Sequence, residues 1–177
     1  ILIDYTKKAI DFANVIECKN LVFGSPKNRN VNNGKNSENQ IEIFETLGEY
    51  AYKKNTVIGM EANPKIYNTN YINDTKSALK LVKKINSKGF LLNLDLGTMI
   101  LNNENLLEIL QGNINYINHV HISEPWLKII EKREMHKILR NILLEENYEG
   151  FVSIEMAKID EIKKIEEVVK YVKKIFG

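Results

Sequence analysis

The chain has 177 residues, of which 44% are hydrophobic and 27% charged, which is typical of a globular protein. Its net charge of +2 is small and its lysines are spread along the chain, which excludes a strongly basic surface for nucleic acid or membranes. The single cysteine, Cys18, excludes an internal disulfide. No membrane-spanning stretch or secretory signal is evident, so we predict a cytoplasmic protein.

Hydrophobic periodicity predicts strands that alternate with helices. The predicted order is helix 4–20, strand 21–23, helix 37–54, strand 56–61, helix 74–88, strand 90–95, helix 102–111, strand 117–122, helix 135–146, strand 151–155 and helix 160–176. Ser37 with Gln40 matches a capping box, Asp74 is a predicted N-cap, and Gly89 is a predicted C-terminal signal. Such alternation favours a parallel sheet with helices packed outside it.

The number of strands predicts an incomplete barrel. A closed (β/α)8 barrel of about 250 residues needs eight strand–helix units, and this chain carries about three fewer. We therefore predict one domain over residues 1–177, of the α/β TIM-barrel type, that lacks the first three strands. We expect the missing units to precede residue 1. Because an open sheet edge invites pairing with another chain, we also expect a homo-oligomer.

Four predicted strands each end in a carboxylate or histidine: Glu61, Asp95, His121 and Glu155. In a parallel sheet of this kind the strand ends all open on the same side, so these four side chains should gather at one rim. Carboxylate oxygens with an imidazole make a plausible site for a divalent metal. Taken singly, each residue has a structural alternative, such as a helix cap for a glutamate or a bonded core position for a histidine.

Other polar residues lie near the same rim. Residues two apart share a face of a strand, which places Asn63 with Glu61, and His119 one layer below His121. Lys27 and Arg29 follow the first strand and either clamp a phosphate or carboxylate or form an exposed charge pair. Trp126 either stacks on a sugar ring or covers the barrel mouth.

Four motifs resemble those of a known family. They are Gly59-Met-Glu-Ala-Asn-Pro64, Asn93-Leu-Asp95, His119-Val-His-Ile-Ser-Glu-Pro125 and Tyr148-Glu-Gly-Phe-Val-Ser-Ile-Glu155. Their order and spacing are similar to the sugar phosphate isomerase/epimerase family of xylose-isomerase-like TIM barrels. That group includes tagatose and psicose 3-epimerases, hydroxypyruvate isomerase, inosose dehydratase and the endonuclease IV class. The resemblance covers essentially the whole chain, as the last five strand–helix units of such a barrel.

The resemblance implies roles for individual residues. It makes Glu61, Asp95, His121 and Glu155 the metal ligands, with Glu61 and Glu155 also the catalytic acid and base. The candidate substrate-binding residues are Lys27, Arg29, Asn63, His119, Glu124 and Trp126. Two positions depart from the pattern. Thr98 stands where many members carry a histidine, which argues against the endonuclease branch, and Leu127 stands where ketose epimerases carry an arginine.

These residues predict a divalent-metal-dependent isomerase or epimerase acting on a sugar or sugar phosphate through an enediolate. The metal would be Mn, Mg, Co or Zn. Two alternatives remain: a metal-dependent dehydratase of polyol ketones, and a non-catalytic carbohydrate-binding barrel. A nuclease would require a basic groove and more histidines than the three present.

Overall fold

The computed structural model contains five parallel strands in the order β1-β2-β3-β4-β5, curled into a half-barrel. It describes residues 2–27, 29–31 and 37–177, the side chains of residues 37–39 excepted. The elements are α1 Leu2–Val15, β1 Asn20–Phe23, α2 Ser37–Lys53, β2 Val57–Met60, α3 Thr75–Ile85, β3 Phe90–Asp95, α4 Leu96–Leu101, α5 Leu106–Leu110, β4 Ile117–Ser123, α6 Glu134–Glu145, β5 Phe151–Glu155 and α7 Ile162–Phe176. This arrangement confirms the predicted α/β class and the incomplete barrel.

Two predicted helices end earlier in the structure than in the sequence prediction. The first ends at Val15 rather than at residue 20, and Glu17 beyond it takes a left-handed φ of 57°. The third ends at Ile85 rather than near Gly89, because Asn86 adopts a left-handed φ of 49° and closes the helix by donating to the Val82 carbonyl. Asparagine can therefore replace the glycine that usually ends a helix.

The helix predicted at residues 102–111 is wrong in its bounds. Two shorter helices, α4 and α5, occupy this region, and α4 begins directly after β3. Its N-cap is Asp95, whose carboxylate accepts a hydrogen bond from the Thr98 backbone N–H at 2.6 Å. Asn105 caps α5 in the same way, accepting from Leu107 N at 3.0 Å.

The hydrophobic core lies between the sheet and the helices. Strand β3 buries Phe90, Leu92 and Leu94 completely, while Asn93 and Asp95 point to the other face. Helix α3 turns Ala78 and Val82 towards the core, and its predicted cap Asp74 accepts from Ser77 N at 2.7 Å. The capping box predicted at Ser37 involves a side chain outside the described residues.

Among the described residues, all buried apolar side chains except that of Ala13 form one continuous cluster. This continuity agrees with a single domain, which stays a prediction. Along the described residues, no helix combines the length and apolar character needed to cross a membrane.

Gly89 allows α2 to approach the start of β3 closely. A Cβ at residue 89 would lie 2.0 Å from the Gly48 carbonyl oxygen and 2.6 Å from Tyr52 N, both backbone atoms of α2. We expect Gly89→Ala to lower the free energy of unfolding by about 1–3 kcal/mol, as overpacking does. Urea denaturation measures the change, with Lys88→Ala at the exposed neighbouring position as the control. Equal stability of both variants would contradict this close packing.

Candidate metal centre

Four polar side chains converge at the carboxyl ends of four neighbouring strands. Glu61 follows β2, Asp95 ends β3, His121 lies in β4 and Glu155 ends β5. Each offers one ligand atom, and these atoms all lie within 4.8 Å of one another. Ligand atoms on opposite sides of a Mg²⁺, Zn²⁺ or Ca²⁺ ion are roughly 4–5 Å apart. The donor set and its spacing therefore fit one divalent ion.

The register of the strands explains why these residues meet. Asp95 pairs with His121 across β3 and β4, whereas Glu155 pairs with Ser123, two residues further along β4. The register between β3 and β4 also shifts once, at Leu92 and Asn93. The candidate ligands are thus staggered along the barrel rather than arranged in one flat layer.

Glu61 is the most deeply buried of the three carboxylates. Its Oε2 accepts a hydrogen bond from Asn93 Nδ2 at 2.6 Å and lies 3.1 Å from His121 Nδ1. On the other side, a Cβ at Gly24 would come within 2.4 Å of Glu61 Oε1, so the glycine leaves room for this carboxylate. Burial raises the pKa of Glu61 above its ordinary value, while the contact with His121 opposes that rise.

Asp95 is fixed through both carboxylate oxygens. Oδ1 accepts from the Thr98 backbone N–H, and Oδ2 accepts a short hydrogen bond from the Ser123 hydroxyl. Ser123 itself accepts from Gly97 N at 2.8 Å, which sets the direction in which its hydroxyl donates. Burial raises the pKa of Asp95 above its ordinary value, and the hydrogen bonds from Ser123 and Thr98 oppose that rise.

His121 lies between the two glutamates. Its Nδ1 is 3.1 Å from Glu61 Oε2 and 3.3 Å from Glu155 Oε2. Burial disfavours the imidazolium, but hydrogen bonds and charge from Glu155 and Glu61 outweigh it and raise the pKa of His121 to about 10. Without a metal, the cluster therefore holds a proton on this imidazole at neutral pH. A divalent cation would have to displace that proton.

A cavity of about 320 Å³ opens beside the cluster, at the lower end of the size range of small-molecule sites. Its lining is Gly24, Pro26, Glu61, Ala62, Asn63, Tyr67, Asp95, Gly97, Thr98, Glu124, Trp126, Leu127 and Glu155. Three of the four candidate ligands thus face a space large enough for a small substrate.

Trp126 stands at the mouth of this cavity. Its backbone N–H donates to the Tyr67 hydroxyl at 3.0 Å, and the two rings meet edge to face with centroids 5.0 Å apart. Both Trp126 and Leu127 adopt left-handed φ values, of 63° and 52°. Trp126 as a whole residue remains 51% exposed.

Three further candidate substrate-binding residues are held by bonds within the protein. Asn63 lines the cavity and donates to the Gly24 carbonyl at 2.6 Å. Glu124 is buried and accepts two hydrogen bonds from Arg133, at 2.7 and 2.5 Å. His119 Nε2 lies 2.7 Å from the Ser153 hydroxyl, with its ring edge-on to that of His121.

The basic pair after β1 lies apart from the lining of this cavity. Lys27 and Arg29 line a second cavity of about 530 Å³ beside α1. Arg29 is buried, and its guanidinium donates to the backbone carbonyls of Glu61 and Phe23. Arg29 thus links the carboxyl ends of β1 and β2. An anion-binding role for Lys27 and Arg29 stays a prediction.

Several residues that shape the site were given no individual role from the sequence, although Asn93 and Ser123 lie within the quoted motifs. Ser123 lies two residues beyond His121. Because strand residues two apart share a face, the sequence already placed Ser123 on the same face of β4 as His121. Asn93 shares a face with Asp95 in the same way. Gly24 lies in a loop and Tyr67 ends a short 3-10 helix, Lys65–Tyr67, and no periodicity marks either residue.

Comparison with known protein families gives a match for the chain. The family described as Xylose isomerase-like TIM barrel matches residues 2–175. No curated protein sequence matches the chain.

Solved structures show the same fold at low sequence identity. D-Psicose 3-epimerase from Clostridium cellulolyticum H10, solved with D-tagatose, is 11% identical with a TM-score of 0.80, over 98% of this chain and 70% of that one. D-Allulose 3-epimerase from Methylomonas sp., in complex with D-allulose, is 15% identical with a TM-score of 0.78, over 98% and 68%. A xylose isomerase-like TIM barrel protein from Mycobacterium smegmatis, in complex with magnesium, is 18% identical with a TM-score of 0.69, over 98% and 66%.

At these identities the structural likeness concerns the fold alone. The family match is independent of it and spans nearly every residue. The chain belongs to the xylose isomerase-like TIM barrel family.

Proposed function

We propose that this protein is a divalent-metal-dependent isomerase or epimerase that acts on a sugar or sugar phosphate. The observation that carries the proposal is the convergence of Glu61, Asp95, His121 and Glu155 within 4.8 Å, beside a cavity of substrate size. The sugars in two neighbouring structures and the magnesium in a third support it.

The four candidate ligands suit a small divalent cation. Three carboxylates and one imidazole serve Mn²⁺, Mg²⁺, Co²⁺ or Zn²⁺. When bound, such an ion would polarise the carbonyl of a hydroxy-ketone and stabilise negative charge that develops on its oxygen. The positive charge of the ion would also offset the repulsion between the carboxylates, which lowers the free-energy cost of burying them close together.

Glu61 and Glu155 are suited to move the proton. Glu61 follows β2 and Glu155 ends β5, and both line the cavity beside the cluster, so a substrate in that cavity would be within reach of both. One carboxylate removes a proton from the carbon next to the carbonyl, and the other returns one. Return to the opposite face of that carbon gives an epimer, whereas return to the adjacent carbon exchanges aldose and ketose.

Metal binding should release a proton from the protein. The pKa of His121 is raised to about 10 by its two carboxylate neighbours, so the imidazole is protonated at pH 7 and must lose that proton to bind a metal. We expect the affinity for Mn²⁺ to rise as pH increases from 6 to 9, by up to about tenfold per pH unit. Calorimetry in buffers of different ionisation enthalpy measures the protons released.

The matched control for this measurement is His136→Gln, which alters a buried histidine on α6 outside the cluster. That variant should keep the same proton release. Binding of Mn²⁺ without proton release would contradict the ligand role of His121.

Replacing Glu155 by glutamine tests the proton-transfer role. The substitution removes a base while retaining the size of the side chain, and should reduce hydrogen exchange at the substrate carbon by about 10²–10⁴-fold. NMR of D-tagatose and D-allulose incubated in D₂O follows that exchange. The control is Glu149→Gln, an exposed glutamate just before β5.

Metal content must be measured on both variants, since Glu155 is also a candidate ligand. Normal exchange in Glu155→Gln would overturn its assignment as acid or base. Loss of water from a substrate in the unsubstituted protein would instead indicate a lyase, and sugar binding with no exchange would indicate a non-catalytic barrel.

A further inference from the structure

We propose that Asn93 is a positioning residue for Glu61, and that a chain of three side-chain amides sets which end of Asn93 faces the metal centre. The proposal rests on the function proposed above, since it concerns the support of the same ligand cluster. The chain runs from Asn118 in β4 to Asn20 in β1 and on to Asn93 in β3. Together the three amides cross the polar face of the half-barrel.

Asn93 is the direct contact with the cluster. It is almost completely buried, at 1% exposure, and its Nδ2 donates to Glu61 Oε2 at 2.6 Å. The same nitrogen lies 3.2 Å from His121 Nδ1, a contact that becomes a hydrogen bond only when Nδ1 carries no proton. If Asn93 were turned around, its carbonyl oxygen would face the Glu61 carboxylate and repel it.

The other two amides oppose that reversal. Asn118 Nδ2 donates to Asn20 Oδ1 at 2.7 Å, which leaves Asn20 with its Nδ2 as the donor towards Asn93. Asn20 Nδ2 lies 3.4 Å from Asn93 Oδ1. Because each amide accepts at one end and donates at the other, the three form a chain with a single direction. That direction ends at the carboxylate of Glu61.

Gly59 in β2 leaves the space in which this chain crosses the barrel. A Cβ at residue 59 would lie 2.8 Å from Asn20 Oδ1 and 3.2 Å from Asn93 Cβ. A side chain there would push both amides aside. Strand β2, which lies between β1 and β3, therefore has no side chain at the position where Asn20 reaches across it to Asn93.

The role matters because Glu61 is itself buried. A buried carboxylate that loses a hydrogen-bond donor becomes more costly to keep ionised, and its orientation is less well fixed. Groups that hold a metal ligand through hydrogen bonds commonly contribute 10–100-fold to metal affinity. We expect Asn93→Ala to weaken Co²⁺ binding by about that factor.

The matched control is Asn113→Ala. Asn113 is also buried and donates through Nδ2, to the Ile109 carbonyl at 2.8 Å, but it lies just after α5. We expect this variant to lose thermal stability while its Co²⁺ affinity and absorption spectrum stay those of the unsubstituted protein. Equal Co²⁺ affinity of Asn93→Ala and the unsubstituted protein would overturn the role of Asn93.

Substitution of Asn20 separates the amide chain from simple electrostatics. In Asn20→Asp, an ionised carboxylate can only accept hydrogen bonds, so it attracts Asn93 Nδ2 away from Glu61. We expect Co²⁺ affinity to fall by tenfold or more in Asn20→Asp, and by a smaller factor in Asn20→Ala, which only removes the donor that holds Asn93 Oδ1. An added negative charge acting only at a distance would instead strengthen cation binding. Tighter binding in Asn20→Asp would thus overturn the proposed chain.

A second measurement needs no metal. In the metal-free protein, NMR should show a nuclear Overhauser effect between the Asn93 amide protons and the His121 ring, weakened in Asn20→Ala and lost in Asn20→Asp. An effect unchanged in Asn20→Asp would overturn the chain even if the protein binds Co²⁺. Failure of the unsubstituted protein to bind Co²⁺ would count against the proposed metal-dependent function, and the NMR result would still decide the chain.

Discussion

The mutual repulsion of three carboxylates is the constraint on which this site depends. Glu61, Asp95 and Glu155 each place an oxygen within 4.8 Å of the others and of His121. Like charges so close raise the cost of ionisation, and the effect is greater in a buried place than in water. The structure offsets the cost with one imidazolium and with hydrogen-bond donors aimed at Glu61 and Asp95. A divalent cation at the centre would offset it further, which is why the cluster favours a metal site over an ordinary polar core.

The fold and the set of candidate ligands follow from local sequence signals, whereas the hydrogen bonds that support these side chains do not. Strand ends such as Ile154-Glu155 carry their own periodicity, and parallel connection brings those ends to one rim. The hydrogen bond from Asn118 to Asn20 joins residues 98 positions apart. Its partners depend on the register of strands and on the shift at Leu92 and Asn93, neither of which one strand encodes.

Asp95 has two structural roles: it is a candidate metal ligand and the N-cap of α4. The sequence pattern identified it as a strand-end carboxylate, and the structure shows that it also begins α4 as its N-cap. The helix was missed because a strand that ends in a carboxylate gives no separate sign that a helix follows immediately. The N-cap bond fixes Oδ1, and the side chain is thereby held rigid at the rim.

Two side-chain donors each come from the strand that follows the residue they support. Asn93 in β3 donates to Glu61 after β2, and Ser123 in β4 donates to Asp95 in β3. Ser153 in β5 also contacts His119 in β4, at 2.7 Å between Oγ and Nε2, and the tautomer of His119 decides which of the two donates. Asn93 precedes Asp95 by two positions and Ser123 follows His121 by two, so each shares a strand face with one candidate ligand and donates to the candidate ligand of the preceding strand. The motifs Asn-Leu-Asp and His-Val-His-Ile-Ser thus each carry a candidate ligand and the donor that supports another, which links the geometry of the site to the register of the whole sheet.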